Sequence, residues 1–162
     1  DVYKRQKFDK RDTHKPGWKF NEYELKGVPL RIAIGPKDLE KGTVEMARRD
    51  TLTKEIVETT AVLARVEGLL DEIQDNLFTK AIHYRSAHTT QVSSYDEFKK
   101  ILNEKGGFIS AHWDGTSATE DKIKKETQAT IRCIPLDTDN EAGRCIVTGN
   151  ISARKVLFAK AY

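Results

Sequence analysis

The chain has 162 residues, 33% charged and 38% hydrophobic, with two cysteines and a net charge of +3. That leaves room for one domain or two small ones, carries too much patterned apolar material for wholesale disorder, and contains no apolar run long enough to cross a membrane. The two cysteines, Cys133 and Cys145, exclude a secretory disulfide framework and fit a reducing compartment. No secretory signal pattern is present. The excess positive charge is uneven: residues 1–60 hold 14 Lys and Arg against 11 Asp and Glu, while residues 61–162 hold 14 against 14. This bias permits a nucleic-acid partner without demanding one.

In chain order, DVYKRQ fits poorly with the residues after it and is expected to be a non-native segment. A loop through His14 and Lys15 leads to a helix over Lys19–Lys26, with Gly27 as its left-handed terminator and Pro29 close behind. Leu30–Ile34 alternates Leu30, Ile32 and Ile34 with Arg31 and Ala33, which predicts a strand with one buried face. Gly35-Pro36 reads as a turn and Gly42 as a loop breaker. Strands follow at Thr43–Arg48 and Lys54–Glu58, joined by a polar turn. The strongest helical signal lies in residues 60–84, where Val62, Val66, Leu69, Ile73, Leu77 and Ala81 form one stripe.

The polar interval 84–94 reads as a domain junction. Ser94 and Glu97 make a capping box for a helix through Asn103, ended by Gly106-Gly107. A strand over Phe108–Trp113 and a short helix capped by Thr119 come next. Strands are then expected at Ala129–Ile134, Arg144–Val147 and Val156–Tyr162. The picture is α/β followed by α+β.

Few chemistries survive a residue-level test. Structural zinc wants four N or S ligands, and only Cys133, Cys145 and His112 are at hand, so two buried reduced cysteines are the plainer expectation. No nucleophile elbow or phosphate loop is present. His83 and His88 read as surface or packing residues. Carboxylate pairs (Asp9 with Asp12, Glu22 with Glu24) suit a metal-dependent nuclease only weakly, since residues two apart on a helix diverge. RNA reading fares better. Guanine offers N–H donors to a carboxylate and acceptors to Arg or Lys, and Glu24, Arg31, Lys37, Asp38 and Lys54 supply both. An ordinary solvated charged surface is the competing reading.

The block KPGWKFNEYELKGVP with GPKDLE, within residues 9–55, closely resembles the anticodon-binding domain of the prolyl-tRNA synthetase family in its archaeal/eukaryote-like form. ETQATIRCIP, GRCIVTG and VLFAKAY, ending on Tyr162, resemble the extra C-terminal domain of that form. The resemblance implies a partial class II anticodon-binding domain, a mixed sheet with helices, over residues 7–89. A small α+β C-terminal domain over 90–162 follows, with 1–6 excluded. It implies that Glu24, Arg31, Lys37, Asp38 and Lys54 read the guanines of the proline anticodon, and that Tyr162 is a structural strut.

The resemblance further implies a parent enzyme that is a cytoplasmic homodimer attaching proline to its tRNA with ATP and magnesium. Neither DNA nor a membrane is an expected partner. The catalytic domain is expected to be absent from this chain, which is then inactive alone. Many relatives hold zinc through four cysteines. Here Trp113, Thr119 and Thr148 stand near the expected thiols beside Cys145, so a zinc-free version with Trp113 as a packing plug is expected. The alternatives are a stand-alone RNA-binding or regulatory module, or the anticodon domain of another class II synthetase.

Overall fold

The computed structural model of the protein describes residues 5–136 and 141–160. Tyr162, and residues 1–4 of the opening segment, lie outside the described residues. Two compact units divide between Lys80 and Ala81, and each has its own hydrophobic core.

In the first unit, helix α1 spans Pro16–Leu25. It begins earlier than expected because Pro16 occupies the first helical turn, where a missing N–H is tolerated and the fixed φ suits a helix. Gly27, at φ +78°, terminates it, and the N–H of Val28 donates to the Tyr23 carbonyl at 3.0 Å. Strand β1 (Leu30–Ala33) leads into a short helix, α2 (Pro36–Lys41), where the sequence reads as a turn and loop. Pro36 starts this helix, Asp38 Oδ2 accepts from the Gly35 N–H at 2.8 Å, and Gly42 closes it in the left-handed conformation.

Strands β2 (Thr43–Arg48) and β3 (Lys54–Glu58) complete an antiparallel sheet of order β1-β2-β3. A 3₁₀ turn, Thr59–Ala61, precedes helix α3 (Val62–Ala87).

One sheet face meets α3. Val44 and Met46 are buried against Leu69, flanked by Leu30, Val57, Val62 and Val66. Ile32 and Ile34, expected on a buried face, are 42% and 56% exposed. Ile32 pairs with the buried Met46 but lies on the edge strand β1, which pairs with β2 alone. Leu77 and Ala81, at the far end of the predicted stripe, are exposed as well. The β2–β3 turn is tied to α3 through Asp50. Its carboxylate, with the side chain 1% exposed, lies 2.8 Å from Arg48 and accepts from Asn76 Nδ2. Its carbonyl accepts from Lys80 Nζ at 3.0 Å.

The second unit is built on a sheet of order β4-β5-β9-β6: β4 (Thr89–Gln91), β5 (Phe108–His112), β6 (Ala129–Cys133) and β9 (Lys155–Lys160). Strand β4 falls within the interval read as a junction. It runs parallel to β5, and helix α4 (Tyr95–Glu104) makes the crossover. Ser94 caps that helix, accepting from the Glu97 N–H at 3.2 Å.

Helix α5 (Ser117–Thr127) is capped by Thr116 rather than Thr119; Thr119 supplies the backbone N–H, at 3.3 Å. The expected strand at Arg144–Val147 is largely a turn. Only Gly143–Arg144 (β7) is extended, paired with Ile151–Ser152 (β8). The core joins Phe98, Leu102, Ile109, Ile123, Val156 and Phe158, with Phe98 edge-on to Phe158 at 5.3 Å. Cys145 is buried, but Cys133 is exposed, next to a register shift between Ile131 and Cys133 that breaks the alternation of β6. The mixed helices and sheets agree with the expected α/β class.

Candidate nucleic-acid interface

Helix α1 covers the sheet face opposite α3 at Arg31, through Phe20, while Lys54 at the other side is exposed, and strand register decides what the face carries. Arg31 on β1 pairs with Ala47 on β2, and Ala47 pairs with Lys54 on β3. Directly paired residues project to one side, so Arg31 and Lys54 flank a residue with only a methyl side chain. Glu45, two residues along β2, shares that face and reaches both cations diagonally. Its carboxylate lies 3.1 Å from Lys54 Nζ and 3.7 Å from Arg31 Nη1.

The Arg31 guanidinium sits over the Phe20 ring of α1, 3.5 Å from the centroid, a cation–π contact that fixes its plane. Arg31 Nη1 is buried and makes no hydrogen bond, and the same is true of Tyr23 Oη. At 3.7 Å, Glu45 attracts Arg31 without hydrogen bonding to it.

The other predicted residues surround this row. Glu24 is half-buried on α1, and its peptide carbonyl accepts from Arg49 Nε at 2.8 Å. Lys37 is exposed on α2. Asp38 is half-buried and gives one carboxylate oxygen to the Gly35 N–H, so capping and ligand reading compete for that group. Thus the structure brings Arg31 and Lys54 together through Glu45. Among the described residues, no hydrogen bond or ion pair joins Glu24, Lys37 or Asp38 to that trio.

Glu45 and Phe20 escaped the sequence reading. Alternation within Thr43–Arg48 puts Glu45 and Ala47 on one face, but only the pairing of three strands shows which cations stand beside them.

One carboxylate of each pair considered for metal chemistry, Asp9 and Glu22, is held in ion pairs. Arg11 bonds Asp9 at 2.7 Å and also Glu22, and Lys26 bonds Glu22 at 2.5 Å. Arg11 hydrogen bonds hold the Asp9 and Glu22 carboxyls below their usual range. Three histidines serve local packing. His14 stacks on Trp18 at 3.9 Å and His88 on Tyr84 at 4.0 Å, while His112 Nδ1 bonds the Ser152 hydroxyl at 3.1 Å. Among the described residues, no group of three or more His, Cys, Asp or Glu could hold a metal ion.

The place where the resemblance implies zinc is filled by a hydrogen-bonded knot. Asp114 Oδ2 accepts from Thr148 Oγ1 at 2.8 Å and Thr119 Oγ1 at 2.9 Å. Its Oδ1 accepts from Thr116 Oγ1 at 2.9 Å and from the Thr116 N–H at 3.2 Å. Burial raises the Asp114 carboxyl, but these donors outweigh it and hold the group below its ordinary range. Trp113 packs on the core and donates from Nε1 to the Thr116 carbonyl at 3.1 Å. One thiol, Cys145, and hydroxyls already donating to Asp114 do not fit a tetrahedral zinc site.

Comparison with known proteins agrees with both units. Residues 4–69 match the family described as Anticodon binding domain, and residues 95–162 match Prolyl-tRNA synthetase, C-terminal. Proline–tRNA ligases of Christiangramia forsetii and Flavobacterium johnsoniae are 65% and 62% identical over 156 residues, which is 96% of this chain. That of Porphyromonas gingivalis is 60% identical over the same length. The chain spans about a third of the length of these curated relatives, 31–32%. With an anticodon-binding domain in its first part and the family's own C-terminal domain in its second, the chain belongs to the prolyl-tRNA synthetase family.

Proposed function

We propose that the face of the β1-β2-β3 sheet opposite α3, with the flanking helices α1 and α2, reads guanines in the anticodon of proline tRNA. In this reading the chain is the tRNA-recognising part of a proline–tRNA ligase. The observation that carries this is the row of Arg31, Glu45 and Lys54 across one sheet face, exposed at Lys54 and half-buried at Arg31 and Glu45. An edge with adjacent donors and acceptors, such as that of guanine, is matched by a surface that also carries both.

Arg31, Lys37 and Lys54 donate to guanine O6 and N7 or to phosphate, and Glu24 and the remaining oxygen of Asp38 accept from guanine N–H groups. The anticodon-binding domain covers residues 7–89 and the C-terminal domain 90–162, with the Asp114 knot in place of zinc. The whole ligase is a cytoplasmic homodimer. It uses ATP and magnesium to activate proline, chemistry for which this chain supplies no phosphate loop.

The test is binding of proline tRNA to Glu24→Ala and Arg31→Ala. Each is expected to weaken binding by about 1–3 kcal/mol and to relax discrimination at a guanine. Equal losses on tRNAs with and without those guanines would reduce both residues to charge or fold contacts and overturn the reading.

A further inference from the structure

We propose that Glu45 is a specificity-determining residue that reads no base itself: it holds Arg31 and Lys54 in register and masks their charge from sequence-independent phosphate contact. The inference rests on the guanine reading of this sheet face and deepens it. Two uncompensated cations on one sheet face would attract any RNA backbone, because phosphate attraction is long-range and blind to sequence. Glu45 lies between them, its carboxylate 3.1 Å from Lys54 Nζ and 3.7 Å from Arg31 Nη1. A phosphate approaching either cation therefore meets a carboxylate too.

A base edge differs in two ways. It carries no net charge to repel, and it approaches in the plane of the groups that bond to it. Phe20 stacks on the guanidinium and fixes its plane, and Ala47, paired with both Arg31 and Lys54, adds only a methyl group beside the Glu45 carboxylate. The arrangement gives up affinity for every RNA in exchange for a larger difference between RNAs.

Arg31 is the more constrained partner. Its side chain is 15% exposed, against 54% for Lys54, and its Nη1 has no hydrogen bond. Glu45 thus acts on Arg31 by fixing its direction and on Lys54 mainly by cancelling its charge.

The experiment compares two hairpin RNAs with the whole chain over a salt series. One carries the proline anticodon and the other has its two guanines replaced by adenines. The variants are Glu45→Gln, Glu45→Asp, and Glu45→Gln with Lys54→Gln, each checked by melting temperature. With Glu45→Gln the adenine hairpin is expected to bind several-fold tighter while the guanine hairpin changes little. Their ratio then falls roughly fivefold, and the slope of log affinity against log salt steepens by about one unit. Adding Lys54→Gln removes the gain, and Glu45→Asp falls between.

Weaker binding of the guanine hairpin alone would make Glu45 a direct base contact and overturn the proposal. An unchanged ratio with an unchanged salt slope would make it merely structural and overturn the proposal as well. If Glu45→Gln melts below the assay temperature, Glu45→Asp decides on the same two readouts. A wild-type chain that fails to distinguish the hairpins would overturn the guanine reading itself, whereas a discriminating wild type with an indifferent Glu45→Gln overturns only this inference.

Discussion

Asp50 illustrates how one carboxylate can organise its surroundings. Its side chain is 1% exposed. Hydrogen bonds from Arg48, then from Asn76, outweigh burial and hold its carboxyl well below the ordinary 3.8. The folded value is depressed, so its stabilisation is complete above the unfolded-chain value and is lost as pH falls below about 4. Asp50→Asn is expected to lower stability by about 1–3 kcal/mol at neutral pH, because it takes the charge out of the bonds from Arg48 and Asn76 while Arg48 keeps its ion pair with Glu72 at 2.6 Å. The difference from wild type should shrink as acid removes the wild-type charge, which denaturant melts at pH 7 and pH 3 would measure.

At this scale the sequence is informative about residue types and less so about their company. The alternation of acids and bases around Arg31 is visible in one dimension. That Glu45 rather than Glu24 lies beside Arg31 and Lys54 is not, since a strand's neighbours are set by residues distant along the chain.

Among elements, those with strong local signals are legible. Thr43–Arg48 and Lys54–Glu58 are strands over the expected residues. The long periodic helix and the Ser94 cap are also legible, because propensity, periodicity and capping act within a turn or two. The elements that escape are short. Helix α2 has six residues, β4 three, and β7 and β8 two each. They are too short for periodicity to register: α2 is held by its caps, and the strands by pairing with other strands.

Strand β4 shows the dependence most sharply. Gly107 has φ +81°, and a Cβ there would lie 2.6 Å from the His88 carbonyl oxygen, which also accepts from the Phe108 N–H at 2.8 Å. Gly107→Ala must push β4 and β5 apart or strain the backbone, at a cost of about 1–3 kcal/mol. Hydrogen exchange at Thr90 and Ile109 should rise in that variant, whereas Gly106→Ala, with nothing within 4 Å, should disturb only its own left-handed backbone.

For the molecule as a whole, two separate cores predict two separable responses. Each unit contains one tryptophan, Trp18 in the first and Trp113 in the second. Leu69 is fully buried in one core and Phe158 in the other. Leu69→Ala is expected to lower the midpoint reported by Trp18 and leave that of Trp113 in place, and Phe158→Ala should do the reverse. Each should cost about 2–5 kcal/mol, read in chains that keep a single tryptophan. Coincident shifts in both would mean that the units unfold as one.

The knot around Asp114 has a consequence for the conditions under which the second unit endures. A loop fastened by thiolates and zinc fails when metal is withdrawn or sulfur oxidised. A loop fastened by three threonine hydroxyls and a carboxylate is indifferent to both and vulnerable to protons instead. Because the Asp114 carboxyl is held below its ordinary value, that fastening is whole at neutral pH and weakens as pH falls toward the acid range. Thr148→Val, which removes one donor, is expected to cost about 1–2 kcal/mol and to shift acid unfolding to higher pH. Chelator and peroxide should leave the Asp114 fastening as it was.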